Sequence, residues 1–418
     1  MAQLKAAEVP CNAAAPDMGG AQLDLASACV SGAADVGATS SAGRARPPLV
    51  VVGHRGKGMN ARLRGDVREN TLRSFNDAAR CPGVGYVEFD VQVTKDGCPV
   101  IFHDIFIYTQ QDGEISGKRV TDLSLDEFLS YGAHKDHGKA GKPLLRKLKE
   151  DGSIVRWDVR SDDALCTLRD AFQGVDRRVG FNVELKFDDD AAYTEDELAG
   201  TLQAVLKACI LPHTSLPRPA FLAQDSTNNV LMTLLLCSLV WVQVVFENAD
   251  ARPIIFSSFH PDAALLMRKL QDKYPVYFLT KGGTEVFADA RRNSLEAAVG
   301  LCLAGGLQGI VSEVRAILRQ PSAVAEIKDA QLSLLTYGQL NNVPEVVCAQ
   351  HLLGVDGVIV DLVREIAEAV SAFTAARDSG SENAGGKGDD NKLEKAGAPS
   401  FSHREISLLL KLIPELVQ

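Results

Sequence analysis

Five short polar clusters lie on or beside apolar runs that are typical of buried strands. They are His54-Arg55-Gly56, Glu69-Asn70-Thr71, Glu88-Phe89-Asp90, His103-Asp104 and Glu184-Leu185-Lys186. Metal-assisted cleavage of a phosphodiester requires this set of groups: metal ligands, an acid/base pair and positive side chains for phosphate. A core strand has no other reason to end in charge, so the clusters indicate a catalytic site.

Three of the carboxylates are spaced as a candidate metal site. Glu88 and Asp90 alternate with Phe89, so both carboxylates point to the same side of a strand. Two parallel carboxylates repel each other unless a cation lies between them. Glu184, on a neighbouring strand, would complete a set of hard oxygen ligands for Mg²⁺ or Ca²⁺. The alternative is a salt-bridged pair at the end of a strand.

The other charged groups suit proton transfer and phosphate binding. His54 and His103 are candidates for general base and general acid, because imidazole titrates near neutral pH. Arg55 offers a bidentate fork for phosphate oxygens and Lys186 a point charge, although either could instead pair with a neighbouring glutamate. The cluster that begins with Glu69 opens a helical pattern and is typical of a helix cap, which leaves Glu69 as an accessory candidate for the site.

The composition favours a globular protein and argues against several classes of partner and site. The chain has 418 residues, 46% of them hydrophobic, which is enough for one large domain or two average ones. A formal net charge of −10 argues against a nucleic-acid partner, which requires a basic face. The nine cysteines are scattered and none forms a C-x-x-C pair. That pattern fits a reducing compartment and argues against a disulfide framework or a zinc site.

Eight apolar runs predict buried parallel strands, with helical patterns between them. The predicted strands are 48–55, 85–91, 180–186, 253–259, 275–280, 309–314, 331–338 and 356–361, and the predicted helices include 70–80, 196–208, 262–273, 294–304 and 343–353. We therefore predict an α/β fold, a (β/α)8 TIM barrel with a small insertion after the second strand and a flexible C-terminal extension. A doubly wound open sheet is the alternative, but no G-x-G-x-x-G follows the first strand.

The predicted barrel gives the clusters a common face. The clusters around His54, Glu88 and Glu184 end the first, second and third predicted strands. In a barrel of this class, the C-terminal ends of the strands form the active-site face. This placement carries more weight than any single motif.

One additional run, 98–103, follows the second strand and suggests a hairpin. Asp96-Gly97 between two β-prone runs is a strong turn signal. A two-residue turn would place His103 opposite Asp90 and so deliver the histidine to the carboxylates. A three-residue turn would shift the pairing by one.

Changes in composition along the chain divide it into four segments. We predict a disordered leader at 1–47, a barrel domain at 48–374, a linker at 375–400 and an amphipathic helix at 401–418. A chloroplast transit peptide is the alternative for the leader, although its acidic residues count against one, and the absence of an apolar signal core argues against secretion. The expected location is plastid or cytoplasm.

Two stretches inside the predicted barrel domain depart from the strand and helix pattern. Residues 105–170 are polar and punctuated by glycine, which predicts an insertion that overhangs the site. Residues 209–243 form an anomalous insertion, for which a gene-model or splicing artefact is the preferred explanation. Its apolar part is short for a membrane helix and would lie inside a barrel unit, so no stable membrane insertion is expected.

The ordered motifs resemble the glycerophosphodiester phosphodiesterase family, and within it the soluble plant members. H-R-G, E-N-T, E-F-D-V-Q-V-T-K-D-G, V-I-F-H-D, V-E-L-K and F-S-S-F carry the resemblance, which runs from about residue 50 to 370 except for 209–243. It implies a barrel that hydrolyses glycerophosphodiesters to glycerol 3-phosphate and an alcohol. Many members carry a tryptophan late in the barrel, where this chain has Thr336-Tyr337.

The resemblance also implies roles for individual residues. His54 and His103 become the acid/base pair, Arg55 and Lys186 contact phosphate, and Glu88, Asp90 and Glu184 bind a divalent cation, Mg²⁺ or Ca²⁺. The expected partner is a small glycerophosphodiester. A lysophospholipase-D-type phosphodiesterase, acting on lipids that keep one acyl chain, and a non-catalytic phosphodiester-binding barrel are the alternatives.

Overall fold

A closed barrel of eight parallel strands forms the centre of the computed structural model, which describes residues 48–60, 65–133, 141–148, 151–210 and 252–381. In chain order the strands are β1 (Val50–Gly53), β2 (Gly65–Val67), β3 (Val84–Val93), β4 (Pro99–Ile101), β5 (Phe106–Gln111), β6 (Glu114–Arg119), β7 (Leu145–Lys147), β8 (Ile154–Arg156), β9 (Val159–Ser161), β10 (Gly180–Leu185), β11 (Ile254–Ser258), β12 (Val276–Thr280), β13 (Gly309–Glu313), β14 (Ser333–Tyr337) and β15 (Gly357–Val360). The barrel consists of β1, β3 and β10 to β15, and it closes because β1 pairs with both β15 and β3.

Helices follow the barrel strands along the chain. They are α1 (Leu72–Ala79), α2 (Leu125–Leu129), α3 (Leu168–Gly174), α4 (Glu195–Ile210), α5 (Pro261–Leu270), α6 (Leu295–Gly305), α7 (Val314–Arg319), α8 (Ser322–Asp329), α9 (Pro344–Leu353) and α10 (Val363–Ser381). Each predicted strand and each of the five predicted helices has a counterpart here. The predicted (β/α)8 barrel, with extra structure after its second strand, is therefore confirmed.

Alternation along β3 divides its side chains between the hydrophobic core and the interior of the barrel. The Phe89 side chain lies in the hydrophobic core outside the barrel interior. Its ring centroid is 5.1 Å from that of Phe75 and 5.0 Å from that of Phe181. Glu88 and Asp90, on either side of it, consequently point into the barrel. The apolar side of the strand thus anchors the two carboxylates.

Truncating this anchor is expected to cost stability. We predict that Phe89→Ala lowers the free energy of unfolding by about 3–5 kcal/mol, because Phe89 is fully buried and its removal leaves a cavity. Urea denaturation followed by tryptophan fluorescence measures the effect. Val286→Ala, at a side chain that is 87% exposed, is the control and should stay within about 0.5 kcal/mol. Equal denaturation midpoints for the two variants would contradict the prediction.

The hairpin after β3 forms, but its register differs from the prediction. Val91 faces Ile101 in the antiparallel pairing of β3 with β4. The same register brings Phe102 opposite Asp90, and the Phe102 N–H donates to the Asp90 carbonyl at 2.9 Å. The expected pairing of His103 with Asp90 is therefore wrong by one residue.

A three-residue turn explains this shift. The turn spans residues 95–97, with Gly97 at φ +78° and its N–H donating to the Thr94 carbonyl at 2.9 Å. The Asp96 carboxylate accepts from the Leu125 N–H at the start of α2, at 3.0 Å. Thr94 N–H donates to the Cys98 carbonyl at 3.0 Å, so the three residues between them form the loop and Asp96-Gly97 is not a two-residue turn.

A small antiparallel sheet lies between the hairpin and α3. Its strand order is β6-β5-β7-β8, and β5 begins three residues after His103. Phe102, Phe128 and Trp157 belong to a second hydrophobic cluster beneath it, with the Phe102 ring centroid 6.0 Å from that of Phe128. This cluster ties the sheet to the hairpin that carries His103.

Several predictions concern residues outside those that the structure describes. They are the leader at 1–47, most of the anomalous insertion at 209–243, and the linker and amphipathic helix of the C-terminal extension beyond 381. Within the described ranges, no helix combines the length and the apolar character needed to cross a membrane. None of the six cysteines in these ranges forms a disulfide bond.

Candidate active site

A cavity of about 930 Å³ opens at the C-terminal ends of the barrel strands. Six of the predicted site residues line it: His54, Arg55, Glu88, His103, Glu184 and Lys186. The other two, Asp90 and Glu69, are buried next to this lining, and both contact Arg55. The fold thus brings all eight candidates together, although they come from five segments of the chain.

Strand register sets the spacing of the three candidate metal ligands. Asp90 on β3 pairs with Glu184 on β10, and two residues earlier on each strand Glu88 pairs with Asn182. One carboxylate oxygen each from Glu88, Asp90 and Glu184 can be chosen so that all three lie within 4.8 Å of one another. Among the described residues, these three side chains form a group close enough to hold one metal ion.

The electrostatics of this group show the cost of placing three carboxylates together. Burial and the charge of Asp90 raise the pKa of Glu88 to about 8. Burial and Asp90 also raise the pKa of Glu184, although Lys186 opposes this. Burial opposes ionisation of Asp90 as well, but His103 when protonated, Lys186 and Arg55 lower its pKa. The site therefore has more negative charge than its own cations neutralise.

These residues fit a divalent cation. Glu88 Oε1 is buried and has no hydrogen-bond partner among the described residues. Carboxylate oxygens are the ligands that Mg²⁺ and Ca²⁺ prefer in proteins. Lys186 Nζ lies 2.8 Å from a Glu184 oxygen and 3.4 Å from an Asp90 oxygen, so one positive group already contacts the cluster. Donor type, spacing and the orphaned oxygen all agree with a cation site.

His54, at the C-terminal end of β1, is held by an aspartate at the end of β15. Its Nδ1 lies 2.8 Å from Asp361 Oδ1, and its Nε2 lies 4.0 Å from Glu88 Oε2. Burial opposes protonation of His54, but the hydrogen bond and the charges of Asp361 and Glu88 raise its pKa. Asp361 also accepts from Met59 N–H and from Asn342 Nδ2, at 2.9 and 3.1 Å. Because Nδ1 donates to the carboxylate, Nε2 is left for proton transfer.

His103, which also lines the cavity, has a similar arrangement. Its Nδ1 lies 2.7 Å from Asp104 Oδ1. Burial, together with the cations Arg55 and Lys186, lowers the pKa of His103 well below its usual value. Asp104 in turn accepts from Arg146 Nε at 3.1 Å. Each histidine is therefore oriented by one aspartate.

Arg55 is tied into a buried ion-pair network. Its backbone N–H donates to Glu88 Oε2 at 2.9 Å, and its Nη1 donates to Glu69 Oε1 at 2.7 Å. Burial would lower the pKa of Arg55, but the carboxylates of Glu69, Asp90 and Glu88 raise it. The helix cap is Thr71, whose hydroxyl accepts from the Ser74 N–H. Glu69 itself is thus an internal partner of Arg55.

Aromatic side chains line the cavity mouth. The Phe259 and Tyr337 rings meet edge to face with centroids 5.8 Å apart. Tyr337 Oη donates to the Thr280 carbonyl at 3.3 Å, which fixes the ring. His260, also at the mouth, caps α5 by accepting from the Ala263 N–H. Phe259 and Tyr337 therefore form an aromatic wall at the cavity mouth.

Sequence reasoning assigned no role to Asp361, Asp104 or Arg146. Asp361 is the last residue of the last predicted strand, in the same strand-end position as the other clusters, so its placement was a usable signal. Asp104 is adjacent to His103. Arg146 lies on the short strand β7 and carries no local pattern that could have identified it.

Comparisons with known proteins identify the family. The model of the glycerophosphoryl diester phosphodiesterase family matches residues 54–214 and 219–365. Glycerophosphodiester phosphodiesterase GDPD1, chloroplastic, of Arabidopsis thaliana is 48% identical over 384 residues, covering 90% of this chain and 93% of that protein. GDPD2 of the same plant is 48% identical over 380 residues, covering 89% of this chain and 90% of that protein.

A solved structure agrees on the fold. The crystal structure described as a glycerophosphoryl diester phosphodiesterase from Silicibacter pomeroyi matches with a TM-score of 0.52 at 20% identity, covering 78% of this chain and 95% of that one. The family model matches well over half of the chain, and two curated relatives are similar along most of their length. The chain therefore belongs to the glycerophosphoryl diester phosphodiesterase family.

Proposed function

We propose that this protein hydrolyses glycerophosphodiesters, such as glycerophosphocholine, to glycerol 3-phosphate and an alcohol. The observation that carries the proposal is the pair of oriented histidines, His54 on Asp361 and His103 on Asp104, in one cavity. Two imidazoles with a free Nε2 on either side of a phosphate can remove a proton from the attacking oxygen and give one to the leaving oxygen.

The other residues have complementary roles in the proposal. Glu88, Asp90 and Glu184 would hold Mg²⁺ or Ca²⁺, and the bound cation would supply positive charge for the non-bridging phosphate oxygens. Lys186 lies beside that cluster and would add a positive charge at the phosphate. Arg55, which lines the cavity and has its Nε 3.6 Å from Asp90 Oδ2, would add a second positive charge beside the phosphate.

The proposed reaction proceeds in two steps that use the same histidines. In the first, the substrate's glycerol hydroxyl loses its proton to one imidazole and attacks phosphorus, while the other imidazole protonates the departing alcohol. In the second, water attacks the cyclic phosphate, and the proton transfers reverse. Each histidine ends in its starting state, so the cycle balances in protons.

A glycerol 3-phosphate release assay tests the proposal. The full chain is incubated with glycerophosphocholine, with glycerophosphoethanolamine and, separately, with lysophosphatidylcholine, whose cleavage is followed by choline release because its other product is lysophosphatidic acid. Release from the first two substrates supports the proposal. Cleavage of lysophosphatidylcholine alone would instead support the lysophospholipase-D-type activity, which the aromatic mouth around Phe259 and Tyr337 could serve by holding an acyl chain. Binding without turnover would indicate a non-catalytic barrel.

The aspartate behind His54 gives a specific prediction. Asp361→Asn is expected to lower kcat by about 10²-fold, because the amide no longer fixes the imidazole with its Nε2 free for proton transfer. Steady-state kinetics with glycerophosphocholine measure the effect. The control is Asp356→Asn, the same change just before the opposite end of β15, where Asp356 pairs with Lys328. Its kcat should stay within about threefold of wild type, and an equal loss in both variants would contradict the prediction.

We also propose a plastid or cytosolic location. One curated relative of similar length is labelled chloroplastic, and residues 1–47 precede the family match. Microscopy of the full chain fused to a fluorescent protein tests this, and export from the cell would contradict it.

A further inference from the structure

Arg146 contacts two carboxylates of the candidate active site, those of Glu69 and Asp104. It lies on β7 of the small antiparallel sheet, outside the barrel. Its Nη2 donates to Glu69 Oε1 at 2.6 Å and its Nη1 to Glu69 Oε2 at 3.3 Å. Its Nε donates to Asp104 Oδ2 at 3.1 Å. One guanidinium therefore contacts both the carboxylate that holds Arg55 and the carboxylate that holds His103.

The guanidinium is fixed in this position by its surroundings. It stacks on the Trp157 ring at 3.9 Å from the centroid, and Nη1 also donates to the Asn60 carbonyl at 3.1 Å. Arg68 covers the same indole at 4.9 Å, and Trp157 Nε1 donates to Asn60 Oδ1 at 3.3 Å. Only 14% of the Arg146 side chain is exposed. A planar cation held by stacking and by several hydrogen bonds has little rotational freedom.

We propose that Arg146 is a positioning residue, which sets the orientation of His103 through Asp104 and that of Arg55 through Glu69. This inference rests on the proposed hydrolase activity and adds a specific part to it. Since β7 belongs to the small sheet, the sheet completes the site without itself supplying an acid, a base or a metal ligand. The barrel alone would leave Asp104 and Glu69 without their shared partner.

The shape of the side chain matters as much as its charge. The planar fork of arginine reaches two carboxylates at once in fixed directions, whereas a lysine ammonium is a single point charge. Arg146→Lys keeps the charge and loses the bridge. Arg146→Ala removes both and opens a space on the Trp157 face that a free guanidinium ion fits.

Kinetics of these variants test the proposal. Arg146→Ala is expected to lower kcat on glycerophosphocholine by about 10- to 100-fold, with KM changed less than about threefold. The reason is that Arg146 holds the carboxylates that orient His103 and Arg55. Arg146→Lys should lose about tenfold. Added guanidinium at millimolar concentration should restore part of the kcat of Arg146→Ala, and ammonium should not. A role in stability alone would not produce that selective rescue.

Arg156→Ala is the matched control, because Arg156 lies on the adjacent strand β8 with a side chain 73% exposed. Its kcat should match wild type with or without guanidinium. The proposal would be overturned by a folded Arg146→Ala variant that keeps the wild-type kcat, whether KM is unchanged or raised. If that variant does not fold, wild-type kcat in Arg146→Lys would overturn it. A wild-type protein that releases no glycerol 3-phosphate would overturn the proposed function as well.

Discussion

Replacing His54 or His103 with alanine is expected to lower kcat by about 10²- to 10⁴-fold, the usual contribution of a general acid or base. Both Nδ1 atoms are held by aspartates, at 2.8 Å in His54 and 2.7 Å in His103, so each Nε2 is preset for proton transfer. The two losses should not multiply in the double variant, because both histidines act in the same steps. Initial rates of glycerol 3-phosphate release measure the three variants against wild type.

The control for this prediction is His403→Ala, at a histidine beyond the family match, which ends at residue 365. It should retain wild-type kcat. Circular dichroism and thermal melting of every variant separate a catalytic loss from unfolding. If His54→Ala keeps more than about a tenth of the wild-type kcat, the acid/base assignment is wrong for that residue.

Removing divalent cations is expected to abolish turnover. A metal that stabilises a phosphoryl oxygen contributes several kcal/mol, so chelation with EDTA should lower kcat by at least about 10²-fold. Mg²⁺ or Ca²⁺ should restore it. Cation binding should also raise the melting temperature, because a ligand at 100 times its Kd stabilises the folded state by about 2.7 kcal/mol. In Glu184→Gln and in Asp90→Asn, added Mg²⁺ or Ca²⁺ should restore less turnover and raise the melting temperature less than in the wild type.

Glu114→Gln is the control for the carboxylate variants, because Glu114 is exposed on β6 of the small sheet. It should respond to EDTA and to added cation as the wild type does. Isothermal titration calorimetry gives the cation affinity without relying on turnover. Wild-type activity that persists after exhaustive chelation would contradict the metal assignment, whatever the carboxylate variants do.

Local patterns predicted the barrel, because each strand and helix carries its own apolar period and its own end signals. The hairpin shows the limit of such patterns. Asp96-Gly97 correctly indicated a turn, but this dipeptide fits a two-residue or a three-residue loop, and the structure has the longer one, with Thr94 paired to Cys98. The dipeptide alone therefore did not fix the register.

The same limit applies to the site. The candidate residues were predictable because charge at a strand end is rare and costly. The pairings were not predictable, because Asp361 and Arg146 meet His54 and Glu69 only after the barrel closes and the small sheet packs. Glu69 was considered mainly as part of a helix cap, and the structure gives that role to Thr71. Which carboxylate pairs with which cation is a property of the tertiary structure.

The bond between His54 and Asp361 joins positions 307 residues apart, on the first and last strands of the barrel. A ribosome adding about 5–20 residues per second needs about 15–60 s to make the chain between them. Once residue 184 has been added, the nascent chain has both histidines and all three candidate metal ligands, but until residue 361 it lacks the last strand and the aspartate that holds His54. Hydrolysis should therefore begin only after synthesis is nearly complete, and a messenger truncated before codon 361 should yield an inactive product.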